Sequence, residues 1–205
     1  MDDSKITFII PTIGRITLID TINTLLKQTN SNWKAIIIFD GIEPTLSMED
    51  NRIKIIQSKK LGIGKNSAGM VRNFGITYAE TEWVAFLDDD DGVKNTYVET
   101  FYDELLFDND IIIFRIEGIR KRILPPPDCS NIIRGLVGIS FAVKKYIFEE
   151  GIVFKPSAIE DFLFLDSCRS KGYKIMISPY VLYFVKNYND DKYIDKIFDR
   201  VFINT

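Results

Sequence analysis

Short unbroken apolar runs alternate along this chain with stretches whose apolar residues recur every three or four positions. "KITFII" is a β-branched run closed by Pro11, and Leu18, Ile19, Ile22, Leu25 and Leu26 follow at helical spacing up to the polar break "KQTNSN". "WKAIIIFDG" predicts a second strand ending at Asp40-Gly41, and "IKII" (Ile53 to Ile56) a third. Met70, Val71, Phe74 and Tyr78 predict a helix, and "WVAFL" predicts the next strand. Continuous apolar strands separated by helices imply an α/β domain with a mainly parallel central sheet, flanked by helices and buried on both faces. Such sheets bind ligands beyond the carboxyl ends of their strands. Here those ends are Pro11-Thr12, Asp40-Gly41 and the four consecutive aspartates Asp88 to Asp91.

In the second half, "DIIIFRI" and "GISFAV" predict strands, and "IEDFLFLDSCRSKG" a helix. "YKIMIS" and "VLYFV" predict two short strands, and Tyr193, Ile194, Ile197, Phe198, Val201 and Phe202 a final amphipathic helix. The basic, proline-interrupted segment "RKRILPPPDCSN", Arg120 to Asn131, excludes regular structure. It reads either as a lid that orders over a ligand or as a rigid, proline-braced surface loop. Without an internal repeat or linker, residues 1–205 read as one domain.

Composition narrows the chemistry. The 46% hydrophobic and 27% charged fractions are those of an ordinary globular protein, and a net charge of -3 gives no reason to expect a nucleic-acid partner. Cys129 and Cys168 lack metal-ligand spacing and read as free thiols. The chain has no histidine, which removes Ser-His-Asp, Cys-His and His-ligated zinc chemistry together. No apolar run reaches the length of a membrane span, and the acidic start "MDDSKITFII" is unlike a signal peptide. The expected location is cytoplasmic, or the host cytoplasm if the Ile-, Lys- and Asn-rich usage reflects a viral genome.

Four adjacent carboxylates repel one another unless something positive sits among them. Either a divalent cation binds there or the run is a solvated acidic turn. "LGIGKNSAGMVRN" places glycines, Lys65 and Arg72 near a helix start, a plausible anion site for a diphosphate or ribose. Ser157 and Glu160 have the spacing of a capping box, which leaves Asp161 free beside a helix N-terminus that favours its ionised form.

Five pieces, "FIIPTIGR", "IIIFDG", "NSAGMVRNFGI", "VAFLDDDDG" and "IEDFLFLDSCRSKGYKI", stand in an order and spacing that resembles the family-2 nucleotide-sugar glycosyltransferases, over roughly residues 5 to 180. The resemblance implies a single GT-A (Rossmann-like) domain, with a nucleotide-binding half at 1–92 and an acceptor-binding, catalytic half at 93–205. It implies inverting transfer of a hexosyl or deoxyhexosyl unit from a nucleoside diphosphate sugar to an acceptor hydroxyl of a glycan or glycoprotein, with Mn²⁺ or Mg²⁺. On this likeness Pro11, Thr12 and Arg15 face base and ribose, and Asp40, beside Gly41, accepts a uracil N–H, which favours a UDP-sugar. Gly69, Arg72 and Lys65 serve the donor. Asp88 and Asp90 match the Asp-x-Asp pattern, with Asp90 as principal metal ligand and Asp88 facing the ribose or a metal-bound water. Asp89 shares either task, Asp91 contacts acceptor or orients the loop, and Asp161 is the general base. Many GT-A enzymes complete the metal site with a histidine. Here water, the diphosphate or a residue near Lys186 to Tyr188 would take that place. The other readings are a nucleotidyltransferase of related fold and a sugar-nucleotide- or glycan-binding module without catalysis.

Overall fold

The computed structural model describes residues 3–62, 68–118 and 120–186. The expected terminal helix and Lys65 lie outside the described residues. The chain folds as β1 (Ile6–Thr12), α1 (Leu18–Leu26), β2 (Trp33–Asp40), β3 (Ile53–Ser58), α2 (Ala68–Ile76), β4 (Trp83–Phe86), β5 (Asp91–Val93) and α3 (Tyr97–Glu104). It continues with β6 (Ile111–Glu117), β7 (Ile123–Leu124), β8 (Phe141–Lys144), α4 (Tyr146–Glu149), α5 (Glu160–Ser170) and β9 (Ile175–Val185).

The strands form one sheet in the order β3-β2-β1-β4-β8-β6-β9-β5, with β7 beside β6. The first four pair in parallel, as continuous apolar strands separated by helices require. Beyond β4 the sheet turns mixed, because β8 enters antiparallel between β4 and β6 while β9 runs parallel to β6. All of β1, β2, β3, β4, β6 and β9 therefore run in one direction and end on the same side. The two strands expected at 173–178 and 181–185 are one, β9, whose pairing with β6 shifts register on either side of Arg115. That irregularity absorbs Pro179, which has no N–H to give a ladder.

Helices cover both faces. On one, Phe8 meets Tyr97 at 5.3 Å and Trp83 meets Phe101 at 5.5 Å, which seats α3. On the other, Phe86 meets Phe154 at 5.1 Å, and Phe154 stacks on Phe164 at 4.7 Å, which seats α5. Residues 8 and 9 of one strand point to opposite faces. Ile9 accordingly meets α2, where a Cβ on Gly75 would lie 2.5 Å from Ile38 Cδ1 and 2.8 Å from Ile9 Cγ2. Both isoleucines are fully buried and cannot move aside. Gly75→Ala should therefore lower stability in urea unfolding, since overpacking costs about 1–3 kcal/mol and outweighs the helix-propensity gain of at most about 1 kcal/mol. An unchanged or raised midpoint would mean that α2 does not sit this close to the sheet.

The proline loop, expected to hold no regular structure, contributes β7, because Ile123 and Leu124 precede the prolines and pair with Glu117 and Ile116 of β6. The rest of the loop is braced. Arg115, itself buried, donates to the carbonyls of Pro125 at 2.6 Å, Pro126, and Pro127 at 3.2 Å. Of the two readings of Arg120 to Asn131, this geometry supports the rigid loop, because the buried guanidinium would lose those acceptors if the loop swung away.

Candidate active site

The carboxyl ends of β1, β2 and β4 lie side by side, with Thr12 paired to Phe39 and Ile9 paired to Phe86. Gly14 adopts φ +80°, a conformation that costs glycine little. This turn lets its N–H donate to Thr12 Oγ1 at 2.9 Å, and brings Arg15 back over the aspartate run.

The four aspartates part company. Asp88 Oδ1 accepts from Arg72 Nη2 at 2.5 Å. Asp89 is buried, accepting from Thr12 Oγ1 at 2.6 Å and Arg15 Nη1 at 3.2 Å. Asp90 Oδ2 takes the same Arg15 nitrogen at 2.5 Å. Asp91 begins β5, and its carboxylate accepts from the Tyr183 hydroxyl at 2.7 Å. Burial pushes the Asp89 carboxyl up to about 6 despite Thr12 and Arg15. It also raises Asp90, helped by the neighbouring Asp88, and raises Asp91 well above the usual carboxylate range. The run is thus a turn whose charge is met by Arg15 and Arg72. Among the described residues no group of three or more His, Cys, Asp or Glu side chains is arranged to hold a metal ion.

Asp40 is buried at the end of β2 and serves the loop after β3. Its oxygens accept from Lys60 Nζ at 2.6 Å, Leu61 N–H at 2.6 Å and Gly62 N–H at 3.1 Å. Burial alone would raise its pKa, but these donors hold the carboxyl below its ordinary value. Gly41 follows at φ +76°, beside an open cleft of about 470 Å³ lined by Gly41, Gln57, Ser58, Lys59 and Lys60.

At the start of α2, Gly69 and Arg72 meet a carboxylate of the protein itself. Glu160 Oε2 accepts from Gly69 N–H at 3.1 Å, and Glu160 Oε1 accepts from Arg72 Nη1 at 2.6 Å. This overturns the capping box: α5 starts at Glu160 with no side-chain cap, and Ser157 Oγ accepts only the Ile159 N–H. Arg72 is only 3% exposed and lies among Glu160, Asp88 and Asp161, so its charge is met by carboxylates of the chain itself. Asn73 clamps the Phe154 backbone, donating to its carbonyl at 2.8 Å and accepting its N–H at 3.0 Å.

Asp161 stands one residue past Glu160, its Oδ1 3.9 Å from Arg72 Nη1 and without a hydrogen-bond partner although buried. Burial drives its carboxyl up to about 7, with Asp88 and Glu160 adding to the rise and Arg72 opposing it. The helix N-terminus, expected to favour the ionised form, is outweighed by desolvation. Sequence reasoning missed Tyr183 and the pairing role of Glu160. Tyr183 carried a faint signal as the one hydroxyl-bearing residue in "VLYFV", whereas Glu160 carried the wrong one.

A Rossmann-like sheet with acidic, arginine-paired residues gathered at its carboxyl edge defines a GT-A type α/β protein. Solved structures of S. aureus TarS share this fold. The 1–349 fragment superposes with TM-score 0.69 at 19% identity, covering 89% of this chain and 60% of that one. Its complex with UDP-GlcNAc gives 0.67 at 19%, covering 93% and 60%. Residues 7–150 match the family described as Glycosyl transferase family 2, and the chain belongs to that family. Among curated relatives, Glycosyltransferase GlyG of Streptococcus pneumoniae is 31% identical over 47% of this chain and 33% of its own length. The Escherichia coli protein WfgD, a UDP-Glc:alpha-D-GlcNAc-diphosphoundecaprenol beta-1,3-glucosyltransferase, is 33% identical over 44% and 37%. The Staphylococcus aureus poly(ribitol-phosphate) beta-N-acetylglucosaminyltransferase TarP is 28% identical over 78% and 46%. The chain thus spans less than half the length of these curated relatives. No described helix is long and apolar enough to cross a membrane.

Proposed function

We propose that this chain is an inverting, metal-dependent glycosyltransferase that moves a hexosyl or deoxyhexosyl unit from a UDP-sugar to an acceptor hydroxyl of a glycan or glycoprotein. The observation that carries the reading is Asp161 Oδ1, buried and without a hydrogen-bond partner, beside Arg72 and Asp88 at the carboxyl edge of the sheet. A carboxylate raised to about 7 is suited to take a proton near neutral pH. In this reading Asp161 accepts the proton of the acceptor hydroxyl as that oxygen attacks the anomeric carbon from the face opposite the leaving diphosphate.

The donor is held by residues 1–92, with Pro11, Thr12, Arg15, Asp40 and Gly41 at the nucleotide, and the acceptor by residues 93–205. Asp40 would share its occupied oxygens with the base, and half-exposed Arg15 would leave Asp89 and Asp90 to meet the nucleotide. Asp88 and Asp90 keep 35% and 41% of their side-chain surface, a pair of hard oxygen donors that fits Mn²⁺ or Mg²⁺ bound jointly with phosphate oxygens. When bound, such a cation would neutralise charge gathering on the diphosphate. The UDP-Glc in the name of the relative WfgD, and the UDP-GlcNAc complex of TarS, a structure of the same fold, support a UDP donor.

The test is thermal stability with UDP, GDP or dTDP, each with and without Mn²⁺. A ligand that binds only the folded state raises the apparent melting temperature. UDP with Mn²⁺ should give the largest rise, and Asp90→Ala should remove its Mn²⁺-dependent part while the unliganded protein melts as a cooperative unit. An Asp90→Ala protein that keeps the whole Mn²⁺-dependent rise would show that the ion is not held there.

A further inference from the structure

We propose that Glu160 is a positioning residue whose charge holds Arg72 on the first turn of α2 and so keeps the guanidinium off Asp161. The inference rests on the reading of Asp161 as the base. One guanidinium nitrogen, Arg72 Nη1, has two acceptors within reach, Glu160 Oε1 at 2.6 Å and Asp161 Oδ1 at 3.9 Å. They are neighbours at the start of α5, and the first holds the nitrogen because Glu160 itself cannot shift. Its second oxygen is fixed by the Gly69 N–H, at a glycine where a Cβ would fall 2.6 Å from Glu160 Oε2 and 2.6 Å from Phe154 Cβ. Phe154 lies under the guanidinium, 5.7 Å from its carbon, and is clamped by Asn73. The other end of Arg72 reaches Asp88. Arg72 is thereby stretched between the donor-side aspartate and the start of α5, and the carboxylate meant to take a proton is the one left without a hydrogen bond. A carboxylate that accepts directly from arginine is a weaker base. Neutralising residue 160 leaves Asp161 as the nearest charged acceptor for Nη1.

The variants are Glu160→Gln, which removes the charge and keeps the shape, and Gly69→Ala, which displaces the Glu160 carboxylate and changes no charge. Hydrolysis of UDP-GlcNAc and UDP-glucose with Mn²⁺ is followed against donor concentration, beside Asp161→Asn. Both variants should lose at least about tenfold in kcat with KM changed by less than about twofold, the pattern of a defect in chemistry rather than binding. A crystal structure of Glu160→Gln should show Arg72 hydrogen-bonded to Asp161. A merely structural role would instead lower the melting temperature of Glu160→Gln while the folded enzyme kept its kcat, and that result overturns the proposal, as does a structure with Arg72 still on residue 160. Should Gly69→Ala fail to fold, the near-isosteric Glu160→Gln decides alone. If neither donor is turned over, the position of Arg72 in that crystal structure decides. Asp161→Asn with wild-type hydrolysis would remove the reading of the base, whereas an inactive Asp161→Asn beside a fully active Glu160→Gln removes only the role of Glu160.

Discussion

Replacing Asp161 with Asn is expected to lower sugar transfer, or donor hydrolysis where the acceptor is unknown, by about 10²–10⁴-fold at saturating donor, the usual contribution of a general base. The amide is nearly isosteric and cannot take a proton at neutral pH, so UDP binding should change little. Because the base works only when ionised and burial raises its pKa to about 7, the wild-type kcat/KM should fall as pH drops below that value. Stability runs the other way. A group whose folded pKa lies above its unfolded value stabilises the fold at low pH, and that contribution is lost as pH rises through the folded pKa. The ionised Asp161, with Oδ1 lacking a hydrogen bond, is therefore a burden above pH 7, and Asp161→Asn should melt no lower than wild type at pH 8. A variant with wild-type turnover would remove Asp161 from the base's role, and one that melts below wild type at pH 8 would show that the ionised carboxylate is no burden to the fold.

Arg72→Met is expected to cost about 3–5 kcal/mol of stability, the loss typical when one partner of a buried charge pair is removed. The methionine retains apolar contact with Phe154, but Glu160 and Asp88 lose their shared cation, and Glu160 is buried. Urea unfolding at pH 7 measures the loss. Without Arg72 the folded carboxylates take up protons more readily, so the deficit should shrink as pH falls through the carboxylate range. A deficit below about 1 kcal/mol, the scale of an exposed ion pair, would show that the cluster is solvated rather than enclosed.

Much of the donor half was legible along the chain. β1, α1 and β2 stand where their apolar patterns place them, because each is set by local periodicity and ended by a local signal such as Pro11 or Asp40-Gly41. The carboxyl edge of the sheet followed from the same pattern. The partners of the acidic run did not, since Arg15 lies 74 and 75 residues from Asp89 and Asp90, and Tyr183 lies 92 from Asp91. The β9 strand was misread as two because Pro179 looks like a break, and only pairing with β6 across the fold carries the strand through it.

Glu160 marks the limit most clearly. Its spacing from Ser157 is a sound local argument for a cap, and a cap's hydrogen bond is worth about 1 kcal/mol. A buried arginine 88 residues away outbids that bond, because a desolvated guanidinium left without a carboxylate costs several times more. The sequence by itself determined the order of strands and helices from β1 to β4, the sheet edge where the aspartates gather, and the absence of histidine chemistry, all of which depend on residue type and short spacing, whereas β5 and α3 were not foreseen. Only the tertiary structure decided which carboxylate meets which arginine, and so left Asp161 Oδ1 unbonded, because burial and long-range ion pairing are properties of the packed chain.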